Sequence, residues 1–354
     1  MIDPGIGGPW VSGRLSVIIP VYNRAPILRE ALASIGWQTY RDIEVIVVDD
    51  GSDDLCPESF AADFLPHCPQ GTRYIRQENR GVAAARNTGI SSSTGEYLYF
   101  LDSDDLLVPD SLVKLVQGLT LSGRDYCLGR VLSTDFSARN VVEEMRQDVS
   151  ADVFNFSGWC SHGALYKRDA VVTVGGFDRE LRVGEDTIFQ LQIKLASGEG
   201  KAIDSLVAIR RLHTYAHLNT SWQPDDQARY LTALANVVAQ GEAFRIAPRM
   251  ARLRFMKGFI LRAAVASQSE PTKAMHALSG VAELMLKDMP LIGAMVRLIS
   301  RRGTPLALIL TARILRLIGR PSMAGRRSAH RIDPADRTAL EAVRLPLQSL
   351  ERRI

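Results

Sequence analysis

Short apolar runs that stop at acidic turns set the pattern of the first half of the chain. Leu15-Ser16-Val17-Ile18-Ile19-Pro20 is rich in β-branched residues and has strand length, and the turn Val21-Tyr22-Asn23-Arg24 leads into a helix predicted from about Pro26 to Gln38. Ile43-Glu44-Val45-Ile46-Val47-Val48 repeats the run and stops at Asp49-Asp50, before the turn residues Gly51-Ser52. The spacing then predicts a helix over about 56–65 and a short strand over 73–77. A polar turn, Glu78-Asn79-Arg80-Gly81, follows and feeds an alanine-rich helix. Tyr97-Leu98-Tyr99-Phe100-Leu101 reads as a buried strand ending in Asp102-Ser103-Asp104-Asp105, with a helix over 109–122 behind it. Strand-helix-strand order predicts right-handed crossovers and a parallel sheet, which places both acidic ends on one edge. The expected class is therefore α/β, with a mostly parallel central sheet flanked by helices.

Past that sheet the pattern weakens and then changes. Residues 126–131 read as a strand, whereas 133–156 are acidic and poorly patterned and receive no element. Ser157 to Gly163 reads as a loop presenting Trp159 and His162; the indole either forms a platform for a sugar ring or is buried as core. Gly175-Gly176-Phe177-Asp178 is a turn, and Gly184-Glu185-Asp186-Thr187 precedes a helical run, Ile188 to Leu195. Those acids either complement the helix dipole or supply a general base. From about Asp225 onward the period is helical over 230–244, 250–267, 272–287 and 291–299, punctuated by Pro248, Pro271, Pro290 and Pro305.

Charge separates the two halves. The net +4 conceals 22 Lys/Arg against 32 Asp/Glu in residues 1–244, and 16 against 3 in residues 245–327, that is −10 and +13. Arg245, Arg249 and Arg252, then Arg313, Arg316 and Arg320, recur at helical spacing opposite Leu306, Leu310 and Leu317. Such basic amphipathic helices suit an anionic membrane surface; a soluble bundle or a homo-oligomer face is the alternative. Aromatic residues are sparse among the arginines, which argues against nucleic acid. Hydrophobic content of 46% and charged content of 23% are those of an ordinary globular protein. Cys56, Cys68, Cys127 and Cys160 form no CxxC pair, which fits a reducing compartment. No signal-peptide pattern opens the chain, and no uncharged apolar run reaches about 18 residues. The expectation is a cytoplasmic protein, peripheral on the inner face of the cytoplasmic membrane. Its parts would be an arm over 1–14, an α/β catalytic unit over 15–224, and a basic helical region over 225–354.

Candidate chemistry gathers where the strands end. The carboxyl ends of strands in an open α/β sheet form the ligand mouth. Hard oxygens at alternate positions, Asp102 and Asp104, can share a divalent cation with substrate phosphates. The alternative is a solvated acidic turn with Asp105 or Asp110 capping the next helix. Arg80 and Arg86, beside a Gly-containing turn and a helix start, suit phosphates or are surface charges.

Several ordered motifs point the same way. SVIIPVYN (Ser16 to Asn23), VVDDGSDD (Val47 to Asp54), ENRGVAAARNTGI (Glu78 to Ile90), GEYLYFLDSDD (Gly95 to Asp105), VGGFD (Val174 to Asp178) and GED (Gly184 to Asp186) together resemble the family 2 glycosyltransferases with a GT-A fold, over about residues 15–222. The resemblance implies inverting transfer of a sugar from a nucleotide diphosphate, usually UDP, to a glycan or glycolipid hydroxyl, with Mn²⁺ or Mg²⁺. It implies that Pro20, Tyr22 and Asn23 line the nucleotide pocket, that Asp50 binds the base, and that Arg80 and Arg86 serve the donor. By the same likeness Asp102 and Ser103 lie near the ribose, Asp104 is the direct metal ligand alongside Asp102, Asp186 is the catalytic base and Glu185 its neighbour toward the acceptor. Relatives carry an arginine-x-histidine motif after the last strand. Here Arg211-Leu212-His213 keeps that spacing, which favours His213 as the metal-side histidine, while His217 lies nearer Asn219 and Ser221. Trp159, His162 and His217 are the acceptor-side candidates. Two other readings stand beside this one. A sugar nucleotidyltransferase would need a Gly-rich, Lys-containing first loop where Pro20-Val21-Tyr22-Asn23 stands, and a non-catalytic nucleotide-sugar-binding scaffold would not need Asp50, Asp102, Asp104 and Asp186 together.

Overall fold

The apolar runs pair so that their acidic ends meet. The computed structural model describes residues 10–65, 68–135, 141–145, 161–212, 223–240 and 270–288, with short pieces at 259–260, 262–263, 266, 326–328, 338 and 340–343. Strands β1 (Val11–Val21), β2 (Ile43–Asp49), β3 (Arg73–Arg76) and β4 (Gly95–Phe100) form a parallel half-sheet in the order β3-β2-β1-β4. Ile18 of β1 pairs with Ile46 on one side and Phe100 on the other, so Asp49-Asp50 and Asp102 leave the sheet at the same edge. The intervening helices are α1 (Ala25–Gly36), the short α2 (Pro57–Ser59) continuing into a π-helical turn at Phe60–Phe64, and α3 (Val82–Ser92).

Side chains alternate across β1 with a period of two. Leu15, Val17, Ile19 and Val21 enter one core with Leu28, Leu32, Leu112 and Leu115. Ile18 enters the opposite core with Ile46, Val48, Leu98, Phe100, Phe177 and Phe189. Each fully buried aliphatic of this kind contributes about 1.5–3 kcal/mol relative to exposure. Helix α3 lies close on β1, because a Cβ on Gly89 would come within 2.3 Å of Ile18 Cγ2.

Past β4 the sheet changes character. The next elements are β5 (Leu106–Leu107), α4 (Ser111–Ser122), β6 (Tyr126–Asp135), β7 (Val141–Met145), β8 (Ala164–Lys167), α5 (Arg168–Thr173), α6 (Glu185–Ser197) and β9 (Lys201–Leu212). Strand β8 runs antiparallel to β4 and β6, β7 antiparallel to β6, and β9 parallel to β6 and antiparallel to β5. The mostly parallel arrangement thus holds in the half that presents the acids, and the other half is mixed. Strand β7 lies in a stretch whose sequence pattern assigns nothing, since Val-Val-Glu-Glu-Met becomes a strand only through its partners β6 and β10 (Arg326–Ser328).

Helices α7 (Pro224–Gln240) and α8 (Pro271–Asp288) pack on each other, and α7 packs on α6. Leu340 and Val343 are buried with Leu106, Val108, Leu132, Leu206 and Ile209, so part of the 225–354 region packs on the β5, β6 and β9 part of the sheet. Among the described residues no helix is long and apolar enough to cross a membrane. The arm over residues 1–9, the helix predicted over 291–299 and the spaced arginines 245, 249, 252, 313, 316 and 320 lie outside the described residues.

Candidate active site

At the end of β2 the carboxylates build the turn around them. Asp49 is fully buried: Oδ1 accepts from the Ser52 amide at 2.8 Å, and Oδ2 accepts from Arg76 Nη1 at 2.6 Å and from the Tyr74 hydroxyl. Burial, then the bond to Asp49, pushes the Tyr74 phenol above its usual range. Asp50 receives Gln77 Nε2 at 2.6 Å and the Arg80 amide at 3.0 Å on Oδ1, and the Gly81 amide at 2.8 Å on Oδ2. It therefore shapes the turn that starts α3, with the Arg80 side chain exposed beside it. Asn23 has a left-handed backbone, φ 51°, and ties the same edge together by accepting from the Asp53 amide at 2.7 Å and donating its own amide to Ser52 Oγ at 2.9 Å. Pro20 is buried at the end of β1, and Tyr22 is exposed at the mouth.

The end of β4, at the same edge, holds a denser group. Asp102 directs Oδ1 to Arg86 Nη2 at 2.8 Å and Oδ2 toward His162 Nδ1 at 3.6 Å. Asp105 directs Oδ2 to the same His162 nitrogen at 3.1 Å, and its Oδ1 accepts from the Arg211 amide at 2.9 Å. One ligand atom from each of Asp102, Asp105 and His162 lies within 4.8 Å of the others. Asp104 instead pairs through Oδ2 with Arg24 Nη1 at 2.6 Å, while its carbonyl accepts from Arg211 Nε at 2.6 Å. The buried Arg211 also pairs with Glu30 of α1. Ser103 is buried between the two aspartates.

The electrostatics of this group suit a cation. Burial pushes the Asp105 carboxyl well above the usual range, and the charges of Asp104 and Asp102 add to that against the pull of His162. Asp102 goes the other way: burial opposes its charge, but Arg86 and then His162 hold its carboxyl well below the usual range. Two carboxylate oxygens and an imidazole nitrogen are a donor set that Mn²⁺ accepts readily and Mg²⁺ accepts less readily, since Mg²⁺ prefers oxygen throughout. The cluster differs from the expected Asp102–Asp104–His213 set. Asp104 is engaged by Arg24, His162 sits with the acids, and His213, His217 and Trp159 lie outside the described residues.

Across the site, Gly184 takes a left-handed conformation, φ 83°, and starts α6 with Glu185 and Asp186 in its first turn. Asp186 is half-buried, and its Oδ1 accepts from the Thr187 amide at 2.7 Å. Glu185 is buried with Oε1 at 2.7 Å from Arg86 Nη1; burial and Asp186 raise its carboxyl against the pull of Arg86. Arg86 therefore lies between the two acidic groups, its guanidinium 5.1 Å above the Phe177 ring. Its neighbour Asn87 clamps the Phe177 backbone, donating to the carbonyl at 2.7 Å and accepting from the amide at 2.9 Å. Asn87, Asp105 and Arg211 stand inside motifs visible in the sequence, and Arg24 directly follows one. Nothing in their spacing assigns them these partners, because each contact spans elements distant along the chain.

The chain is similar to known proteins in sequence and in fold. Residues 16–172 match the model described as glycosyl transferase family 2. Glycosyltransferase GlyA of Streptococcus pneumoniae is 39% identical over 127 residues, 35% of this chain and 17% of that protein. EpsJ of Bacillus subtilis, an uncharacterized glycosyltransferase, is 30% identical over 210 residues, 56% of this chain and 60% of that protein. In both cases the match spans less than two thirds of the relative's length. Among solved structures, S. aureus TarS residues 1–349 in complex with UDP-GlcNAc superposes with a TM-score of 0.61 at 15% identity, over 87% of this chain and 93% of that one.

Proposed function

Since the chain belongs to glycosyl transferase family 2 and carries its GT-A fold, we propose that it is a metal-dependent transferase moving a sugar from a nucleotide diphosphate to a hydroxyl acceptor. A UDP-sugar is the donor class this reading favours, supported by the TarS complexes with UDP and with UDP-GlcNAc. The acceptor class is a glycan or glycolipid of a surface polysaccharide pathway. The cluster of Asp102, Asp105 and His162, facing Glu185-Asp186 across Arg86, is the observation that carries the reading.

In this reading Asp102, Asp105 and His162 hold the cation, and Arg24 fixes Asp104 beside them. When bound, the cation neutralises charge on the departing diphosphate. Asp50 and the turn it shapes, with Pro20, Tyr22, Asn23, Ser103 and Arg80, form the nucleotide side. Asp186, partly open at the start of α6, takes the proton of the acceptor hydroxyl as its oxygen bonds the anomeric carbon. The carbon–oxygen bond to diphosphate breaks, its electron pair leaves with the nucleotide, and single displacement inverts the carbon.

Calorimetric titration of UDP, GDP and dTDP with Mn²⁺ and with EDTA, into wild type and Asp102→Ala, tests the donor site. Mn²⁺-dependent UDP binding that disappears in Asp102→Ala supports it, and UDP release from a panel of UDP-sugars then identifies the donor. Failure of every nucleotide to bind in Mn²⁺ overturns the reading. Tight nucleotide binding without turnover across a broad acceptor screen would leave a scaffold protein.

A further inference from the structure

The geometry points to Arg86 as a positioning residue that spans the metal-side aspartate and the base-bearing helix, rather than as a contact to the donor's phosphates. Its two terminal nitrogens are already committed, Nη2 to Asp102 Oδ1 at 2.8 Å and Nη1 to Glu185 Oε1 at 2.7 Å. The residue is 4% exposed and its planar face rests on Phe177, so it has no room to swing toward a ligand in the mouth. Asp102 gives Arg86 one oxygen and keeps the other for the His162–Asp105 side, so the bridge and the cation cluster use different atoms of one carboxylate. Glu185 is followed directly by Asp186. Arg86 thereby sets the separation between the group that holds the departing diphosphate and the group that takes the acceptor proton.

Only a guanidinium does this. Its rigid fork presents two donors to two carboxylates at once, whereas an ammonium is a single point of charge. The fork is itself held in register, because Asn87 pins the backbone of Phe177 on which it lies. Misplacement of reacting groups by about 1 Å can cost on the order of 100-fold in rate, so a strut between the two halves of the site belongs to the rate rather than to donor affinity.

The inference rests on the proposed transferase reading, and a double-substitution experiment separates the two. UDP affinity in Mn²⁺ is measured by calorimetry, and kcat and KM by UDP release from UDP-GlcNAc, UDP-glucose and UDP-galactose, for wild type, Arg86→Lys, Glu185→Gln and the double variant. Arg86→Lys is expected to lower kcat by roughly tenfold or more while the UDP Kd stays within about threefold of wild type. On the Glu185→Gln background the same change should cost much less, since the bridge is already broken. A tenfold or larger rise in UDP Kd in Arg86→Lys, whatever kcat does, makes Arg86 a nucleotide contact and overturns the inference, as does full additivity of the two substitutions. If Arg86→Lys does not fold, Glu185→Gln alone decides: an unchanged kcat overturns the bridge, and a lowered kcat with unchanged UDP Kd supports it. A wild type that neither binds UDP nor releases it fails the transferase reading, and the inference falls with it.

Discussion

At the scale of single residues, charge placement decides roles that residue type leaves open. His162 and Asp186 show this most directly. The imidazole shares its Nδ1 side with Asp102 and Asp105, so His162→Ala is expected to raise the Mn²⁺ concentration needed for half-maximal UDP binding by about tenfold or more, with little change in EDTA. An unchanged Mn²⁺ dependence would take His162 out of the cation site. Asp186 Oδ1 accepts from the Thr187 amide at 2.7 Å and from the Thr187 hydroxyl at 3.3 Å, and the side chain is half-buried at the start of α6. Asp186→Asn is expected to lower kcat by roughly 100-fold to 10,000-fold while UDP binding survives, which titration and turnover on one preparation would show. Loss of UDP binding in that variant would contradict a base on the acceptor side. In the sequence, the acidic and basic types at these positions were legible, but their pairing was not. Asp104 reads from the sequence as the ligand beside Asp102, and nothing in that reading shows its ion pair with Arg24, 80 residues away.

At the scale of elements, the parallel half-sheet is tied at the end opposite the site by Glu44. Its Oε1 accepts from Ser16 Oγ at 2.6 Å and from the Thr94 amide, and its Oε2 pairs with Arg73 Nη2 at 2.8 Å, linking β1, β2, β3 and the entry to β4. Burial works against that charge, but the Ser16 and Thr94 bonds and Arg73 outweigh it and lower the Glu44 carboxyl below its ordinary 4.5. A carboxyl lowered by folding adds stability that is present above about 4.5 and is lost as pH falls through the lower folded value. Glu44→Gln is therefore expected to cost about 1–3 kcal/mol at pH 7 in urea unfolding, and the difference from wild type should shrink below pH 4.5. A gap independent of pH would show that the charge is not what matters. The α3–β1 contact has its own test. Gly89→Ala would put a methyl 2.3 Å from Ile18 Cγ2, and the repacking is expected to destabilise by about 1–3 kcal/mol with the nucleotide site intact. The close approach has no signature in the string Ala85-Arg86-Asn87-Thr88-Gly89, where a glycine reads only as a weak spot in a helix.

For the whole molecule, the boundary near residue 225 marks a change in sequence period and charge but not a break in packing. Arg182, in the loop before α6, holds Asp226 of α7 through Nε at 3.2 Å and through a second, shorter contact from Nη2. Leu340 and Val343 close the β5–β9 face. Leu340→Ala is accordingly expected to cost about 2–5 kcal/mol in the unfolding transition of the sheet, read by urea titration. If that transition does not move, residues 225–354 fold as a separate module, as their composition suggests.

What the sequence by itself determined is the local and periodic part. The β-branched runs make strands β1 and β2 and the aromatic run Tyr97-Leu98-Tyr99-Phe100 makes β4, their alternation assigns each side chain to one of two cores, and the strand-helix-strand order brings Asp49-Asp50 and Asp102 to one edge, all from contacts within one element or between neighbours. The tertiary structure alone decided that Asp105 and His162 gather beside Asp102, that Arg86 faces two carboxylates, and that Val141–Met145 is a strand. Each of these is set by a partner far along the chain. A charged side chain in a buried place takes the position that leaves the fewest charges unpaired, which is a property of the assembled site and is not written at any one position.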